Sequence, residues 1–154
     1  MHRVPVREIM QTSVITLTPE ALAADAAQVM EEFGIRRIPI VDQEGYLVGI
    51  VTDTDVLEAE TAESVLNSYE PGLEEEWLSV ADIMTREVIT IPPEATVGQV
   101  VSIFLEKKVG GLPVVEPDPQ QPKRLRVVGI VTETDIFRLI ARAWREHEQG
   151  QASG

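Results

Sequence analysis

The sequence predicts a mixed α+β protein made of two β-α-β-β-α repeats. Three observations carry that reading: self-similarity through most of the chain, apolar residues at helical spacing ended by a cap-type glycine, and β-branched runs paired across turn residues. Val6 to Asp42 realigns on Val80 to Glu116, an offset of 74 residues, and the register resumes with Gly49 on Gly129, an offset of 80. The difference is a loop insertion. It falls where the first copy has the turn Gln43-Glu-Gly45 and the second has the turn-rich stretch from Pro117 to Arg124.

The elements follow in order. A leading turn, Val6 to Met10, precedes a β segment at Val14 to Leu17. Leu22, Ala26, Val29, Met30 and Phe33 then mark one amphipathic helix, with Gly34 at its C-cap. Ile38 to Val41 and Leu47 to Val51 form a hairpin, and helix resumes at Asp53. In the second copy Thr96 and Gln99 stand at capping-box spacing, and Val97, Val100, Val101, Phe104 and Leu105 make the buried stripe. The last helix, about Glu133 to Glu148, places Ile136, Phe137, Ile140, Ala141 and Trp144 on one side. Met10 and Met84 are core filler, and the aromatics Tyr69, Trp77 and Trp144 are expected to lie under the terminal helices.

Four segments result: repeat 1 at 1–60, an acidic linker at 61–79 with Pro71-Gly72 and Glu74-Glu-Glu76, repeat 2 at 80–145, and a disordered tail at 146–154. A repeat of roughly 50 to 60 residues buries only about 60% of its surface on folding, so the copies should pack on each other. Face-to-face packing would create a pseudo-twofold axis and two equivalent clefts. The linker reads as a solvated charge run.

Composition narrows the function. The 154 residues carry 13 Lys+Arg against 26 Asp+Glu, a formal charge of -13, which repels nucleic acids and anionic membranes. There is no cysteine, so disulfides, thiolate catalysis and Cys-based zinc sites are excluded. His2 and His147 lie near the termini without a partner at ligand spacing, so no metal site is expected. The first ten residues lack a signal-peptide core, and the longest apolar runs are far too short to span a bilayer. A soluble cytoplasmic protein without nucleic-acid or membrane partners is the expectation. With no nucleophile-base pair, triad or P-loop, catalysis is not expected.

The repeated element is Gly49-Ile-Val-Thr52-Asp-Thr-Asp55 and its copy Gly129-Ile-Val-Thr132-Glu-Thr-Asp135. Thr with an acidic residue three later is close to a capping box. The same geometry can serve a ligand: a helix N-terminus offers amides to a phosphate, and the Asp can accept from ribose hydroxyls. Glycine lets a ligand approach the backbone, or satisfies a packing need.

The chain resembles a tandem pair of cystathionine β-synthase (CBS) domains, a Bateman module. The carrying residues are Ile9-Met10, Val14-Ile-Thr16, Ile38-Pro-Ile-Val-Asp42 and the Gly49 to Asp55 element, with Ile83-Met84, Val88-Ile-Thr90, Leu112-Pro-Val-Val-Glu116 and the Gly129 to Asp135 element as counterparts. The resemblance implies a stand-alone sensor that binds AMP, ADP, ATP or S-adenosylmethionine in the inter-repeat clefts, with Mg²⁺ where phosphates bring it. It also implies a homodimer that signals to a separate effector chain. Carried over by position, Thr52, Asp55, Thr132 and Asp135 match phosphate and ribose contacts, and Thr16 and Thr90 border the adenine. Pro39 and Pro113 belong to the adjoining strands, and Arg36 and Arg37 stand at a basic phosphate contact. The second copy has Gly110-Gly111 there, with Lys107 and Lys108 nearby, so the cleft of Arg36 and Arg37 should be preferred. The alternative is an interaction module without ligand, whose Thr and Asp only cap helices.

Overall fold

The computed structural model describes residues 1–69 and 78–153. In chain order the elements are a 3-10 turn Val6–Glu8, α1 Ala23–Phe33, β1 Arg37–Val41, β2 Leu47–Thr52, α2 Asp53–Tyr69, α3 Val80–Ile83, α4 Val97–Lys107, β3 Gly111–Pro117, β4 Leu125–Thr132 and α5 Glu133–Ser153. They form the mixed α+β fold of two β-α-β-β-α repeats. Glu74 to Glu76, Pro71-Gly72 and Trp77, singled out in the sequence, lie outside the described residues. α2 extends as far as Tyr69, beyond residue 60.

The compact units differ from the sequence repeats in one respect. One unit is Ile15–Val88; the other joins Met1–Val14 to Ile89–Gly154. Each repeat has thus given its leading segment to the other repeat's hairpin and helices. Backbone pairing shows the exchange. In one unit Val6 N donates to Ala95 O (2.7 Å), Val97 N to Val4 O (2.9 Å) and Gly98 N to His2 O (2.9 Å). In the other, Val80 N donates to Ala21 O (2.7 Å) and Ala23 N to Leu78 O (2.9 Å). The incoming segments therefore satisfy the first amides of α4 and α1, which a helix cannot pair internally. Val6 and Val80, both fully buried, anchor the segments in the two cores, each at about 1.5–3 kcal/mol of apolar burial.

Each unit holds an antiparallel hairpin, β1 with β2 or β3 with β4, with a bulge after Ile40 or Val114. The first hairpin turns on Asp42, whose Oδ1 accepts from Glu44 N and Tyr46 N (3.0 Å each), with Gly45 at φ 89°. The β segment expected at Val14 to Leu17 is reduced to one parallel bridge, Leu17 with Ile40, and Ile91 with Val114 repeats it. Proline is the reason. Leu17 N donates to Pro39 O (3.3 Å) and Val41 N to Leu17 O (2.9 Å), but the next rung would need an amide at Pro39, which has none. Pro113 interrupts the second copy identically.

Helix α1 ends on Gly34 in the left-handed conformation at φ 64°, as the spacing predicts. The equivalent C-cap of α4 is Lys108, a non-glycine residue at φ 55°. The Thr96 box forms: Thr96 N donates to Gln99 Oε1 (2.9 Å) and Gln99 N to Thr96 Oγ1 (3.3 Å). Phe33 and Leu105, assigned to buried stripes, are exposed because each lies on the outer edge of its helix, while Met30 and Phe104 face the cores. On the apolar side of α5 Ile136 is buried, whereas Phe137, Ile140 and Trp144 are exposed, contrary to the burial expected of Trp144. Residues 146–153, read as a disordered tail, continue α5. A solvated helix continues where nothing breaks it, and Gly150 alone is too weak an interruption.

Candidate functional site

The Thr-x-x-Asp elements sit at the junction of the second hairpin strand and the following helix, once in each unit. In the Ile15–Val88 unit, strand pairing sets Arg37 opposite Thr52, and Asp53 N donates to Arg36 O (2.8 Å). Arg36, Arg37, Thr52 and Asp55 are thereby gathered at one end of the sheet. In the other unit Gly111 pairs with Thr132 and Glu133 N donates to Gly110 O (3.1 Å). The glycines occupy the arginines' positions, and Lys107 and Lys108 are exposed one turn earlier.

The first element is a full capping box, and the second shares its Thr-to-Asp half. Thr52 N and Thr52 Oγ1 donate to Asp55 Oδ2 (2.9 and 3.0 Å), and Asp55 N donates to Thr52 Oγ1 (3.3 Å). Thr132 N and Oγ1 donate to Asp135 Oδ2 (2.8 and 3.2 Å). One part of the sequence reading is thereby corrected. The first-turn amides of α2 are not free for a phosphate: Asp53 N is held by Arg36 O, Thr54 N by Asp53 Oδ1 (3.0 Å) and Asp55 N by Thr52. A helix presents only those amides its own caps leave over.

The two carboxylates differ at their second oxygen. Asp135 is 3% exposed, and its Oδ1 accepts from Gln11 Nε2 at 2.8 Å, with Arg138 Nη1 at 3.7 Å. Asp55 is half-buried, and among the described residues its Oδ1 has no hydrogen-bond or ion-pair partner. Gln11 and Arg138 drew no notice in the sequence. The offsets would have exposed them, since Gln11 stands where the other repeat has Thr85, and Arg138 where it has Glu58.

The glycines before the threonines serve packing. A Cβ on Gly49 would lie 2.6 Å from Met84 Sδ and 3.1 Å from Thr85 O; on Gly129 it would lie 2.5 Å from Met10 Sδ and 3.0 Å from Gln11 O. The leading segments occupy the space a ligand would have used. Met10 and Met84 pack against the cores, as their apolar setting predicts. Pro39 and Pro113 are fully buried, which removes their rings from direct contact. Their effect is on the strand edge beside them: among the described residues no backbone–backbone hydrogen bond reaches Val14 to Thr16 or Val88 to Thr90. Thr16 is exposed and Thr90 half-buried. Among the described residues no group of three or more His, Asp or Glu could hold a metal, and no helix is long and apolar enough to cross a membrane.

A duplicated strand, cap and helix on an exchanged α+β pair defines a tandem-repeat module. The family pattern described as CBS domain matches residues 6–62 and 80–142, and the chain belongs to that family as a tandem pair. An uncharacterized protein of Methanocaldococcus jannaschii is 35% identical over 130 residues, covering 83% of this chain and 44% of that protein. The chain thus spans less than half of that relative, and it spans 22% of the same organism's inosine-5′-monophosphate dehydrogenase, at 28% identity. Among solved structures, AcuB from Vibrio cholerae superposes with a TM-score of 0.76 at 27% identity, over 95% of this chain and 96% of that one. The CBS domain pair of protein MJ0100, in complex with 5′-methylthioadenosine and S-adenosyl-L-methionine, superposes with a TM-score of 0.72 at 31% identity, covering 91% of this chain and 98% of that one.

Proposed function

We propose that the chain is a regulatory module that binds an adenosine-containing ligand, AMP, ADP, ATP or S-adenosylmethionine, at its Thr-x-x-Asp elements and signals to a separate protein. The observation that carries this is the Oδ1 of Asp55, uncommitted among the described residues, in a chain of the CBS family whose Arg36 O meets Asp53 N at the same helix start. A ribose diol needs such an acceptor. The Arg36 guanidinium, exposed and without a partner among the described residues, suits a phosphate or carboxylate, and Arg37 adjoins it. The unpaired backbone edges at Thr16 and Thr90 suit an adenine rim, and Pro39 and Pro113 support the reading by keeping those edges open. Thr132 and Asp135 form the second, less charged element. Mg²⁺ would accompany a di- or triphosphate, not a nucleoside.

The role is binding, not catalysis, and a cytoplasmic setting fits a metabolite sensor of charge -13. Regulation requires unequal affinity for two conformations or assembly states. A homodimer is the assembly we favour, because Phe137, Ile140 and Trp144 place an exposed apolar stripe along α5. Trp144→Glu should then convert a dimer to a monomer in light scattering.

Titration of nucleotide-free protein with the four adenosine ligands and a GMP control, by calorimetry and thermal shift, tests the reading. At 100 times Kd, linkage adds about 2.7 kcal/mol of stability. Selective stabilisation by an adenosine ligand, lost in Asp55→Asn, is the expected result. A flat response across the panel would leave the boxes as helix caps in an interaction module.

A further inference from the structure

The two elements share one backbone arrangement. Gln11 N donates to Ile130 O (2.8 Å) and Ile130 N to Gln11 O (2.9 Å); Thr85 and Ile50 exchange the same two bonds at 2.9 Å each. What differs is the side chain mounted there. The glutamine spans to the carboxylate and donates to Asp135 Oδ1 at 2.8 Å. The threonine, shorter by two atoms, makes no bond to Asp55. Position 138 adds to the contrast, with an arginine beside Asp135 where the first repeat has Glu58.

We propose that Gln11 is an internal competitor at the second element: its amide holds the oxygen of Asp135 that a ribose hydroxyl would take, so ligand fills the Asp55 element and leaves the Asp135 element closed. The proposal rests on the ribose-acceptor reading of these aspartates. Thr132 N and Oγ1 take Asp135 Oδ2, so Oδ1 is the oxygen left to a ligand, and in this buried carboxylate Gln11 already donates to it. Binding would require the amide to rotate away and surrender a hydrogen bond to a charged acceptor. The backbone of Gln11 cannot follow, because both of its polar groups are paired with Ile130. Loss of such a bond weakens binding by roughly ten-fold or more. This adds to the missing arginines at Gly110 and Gly111, and unlike them it is removable by one substitution.

Gln11→Thr places at position 11 the residue that the same two-bond bridge already carries at position 85. Calorimetric titration of wild type and Gln11→Thr with S-adenosylmethionine and with AMP reads the stoichiometry. Wild type should bind one ligand per chain. Gln11→Thr should gain a second site, or strengthen a weak one about ten-fold, and the gain should persist in Gln11→Thr/Asp55→Asn. Because the expected result is a gain, loss of fold cannot imitate it. Two equal sites in wild type, or one site in both proteins, would overturn the competitor and leave the ribose reading intact. No binding by either protein would overturn both.

Discussion

The Asp55 and Asp135 elements are made by the same strand, cap and helix, and they part company through residues that approach from elsewhere in the chain. Among the described residues Asp135 is bonded or paired by Thr132, Gln11 and Arg138, and Asp55 by Thr52 alone. One carboxylate is bonded at both oxygens and the other at one. On the proposed reading, duplication supplies two copies of a site and a single side chain on an exchanged segment retires one of them. Ligand chemistry and stability would then divide between the copies, and substitutions should report that division.

The largest effect is expected at Asp135. Asp135→Ala removes a buried carboxylate that accepts from both Gln11 and Thr132, at a cost of about 1–3 kcal/mol. Asp55→Ala removes only a cap, about 0.5–2 kcal/mol. Urea denaturation of the two variants checks the order, and equal costs would break the comparison. Next come Gly49→Ala and Gly129→Ala, where the added methyl meets a movable methionine and a fixed carbonyl. Both should lose about 1–3 kcal/mol, and by similar amounts, because here the copies agree.

A smaller effect of opposite sign belongs to Lys108. Its left-handed C-cap costs a residue with a Cβ roughly 1 kcal/mol. Lys108→Gly should raise the melting temperature, whereas Gly34→Ala should lower it by a comparable margin.

The smallest concerns the leading turns. Ser79 N and Oγ donate to Asp82 Oδ2 (2.9 and 3.0 Å), and these bonds, backbone first, hold the Asp82 carboxyl below its usual range. The first repeat has Pro5 and Glu8 in those places, so only a 3-10 turn forms there. A lowered folded pKa stabilises above the unfolded value, about 3.9, and that contribution is lost as pH falls through the folded value. The stability difference between wild type and Asp82→Asn should therefore shrink below about pH 4, by a small amount for an exposed group. A difference that stays constant with pH would exclude the charge as its source.

Much of the fold could be read directly. Helix α1, its Gly34 cap, both hairpins and the Thr96 box follow from local periodicity and cap chemistry, which act within a few residues. Thr52 and Asp55 were visible for the same reason. The β segment at Leu17 shrank to a bridge because Pro39, some twenty residues away, lies on the facing strand edge. Helical spacing puts Phe137, Ile140 and Trp144 on one side and Trp144 is expected to be buried, yet all three are exposed, because periodicity reports that a face is apolar without saying what covers it.

By itself, then, the sequence determined the duplication, the order of elements and the two capping aspartates, since each depends on neighbours along the chain or on a repeated register. Only the tertiary structure decided that the leading segments trade places, that methionines and backbone fill the space above Gly49 and Gly129, and that Gln11 lands on Asp135. Those pairings join residues separated by up to 124 positions. They are set by which segment can satisfy the free amides and buried faces of a helix, and no local pattern records that choice.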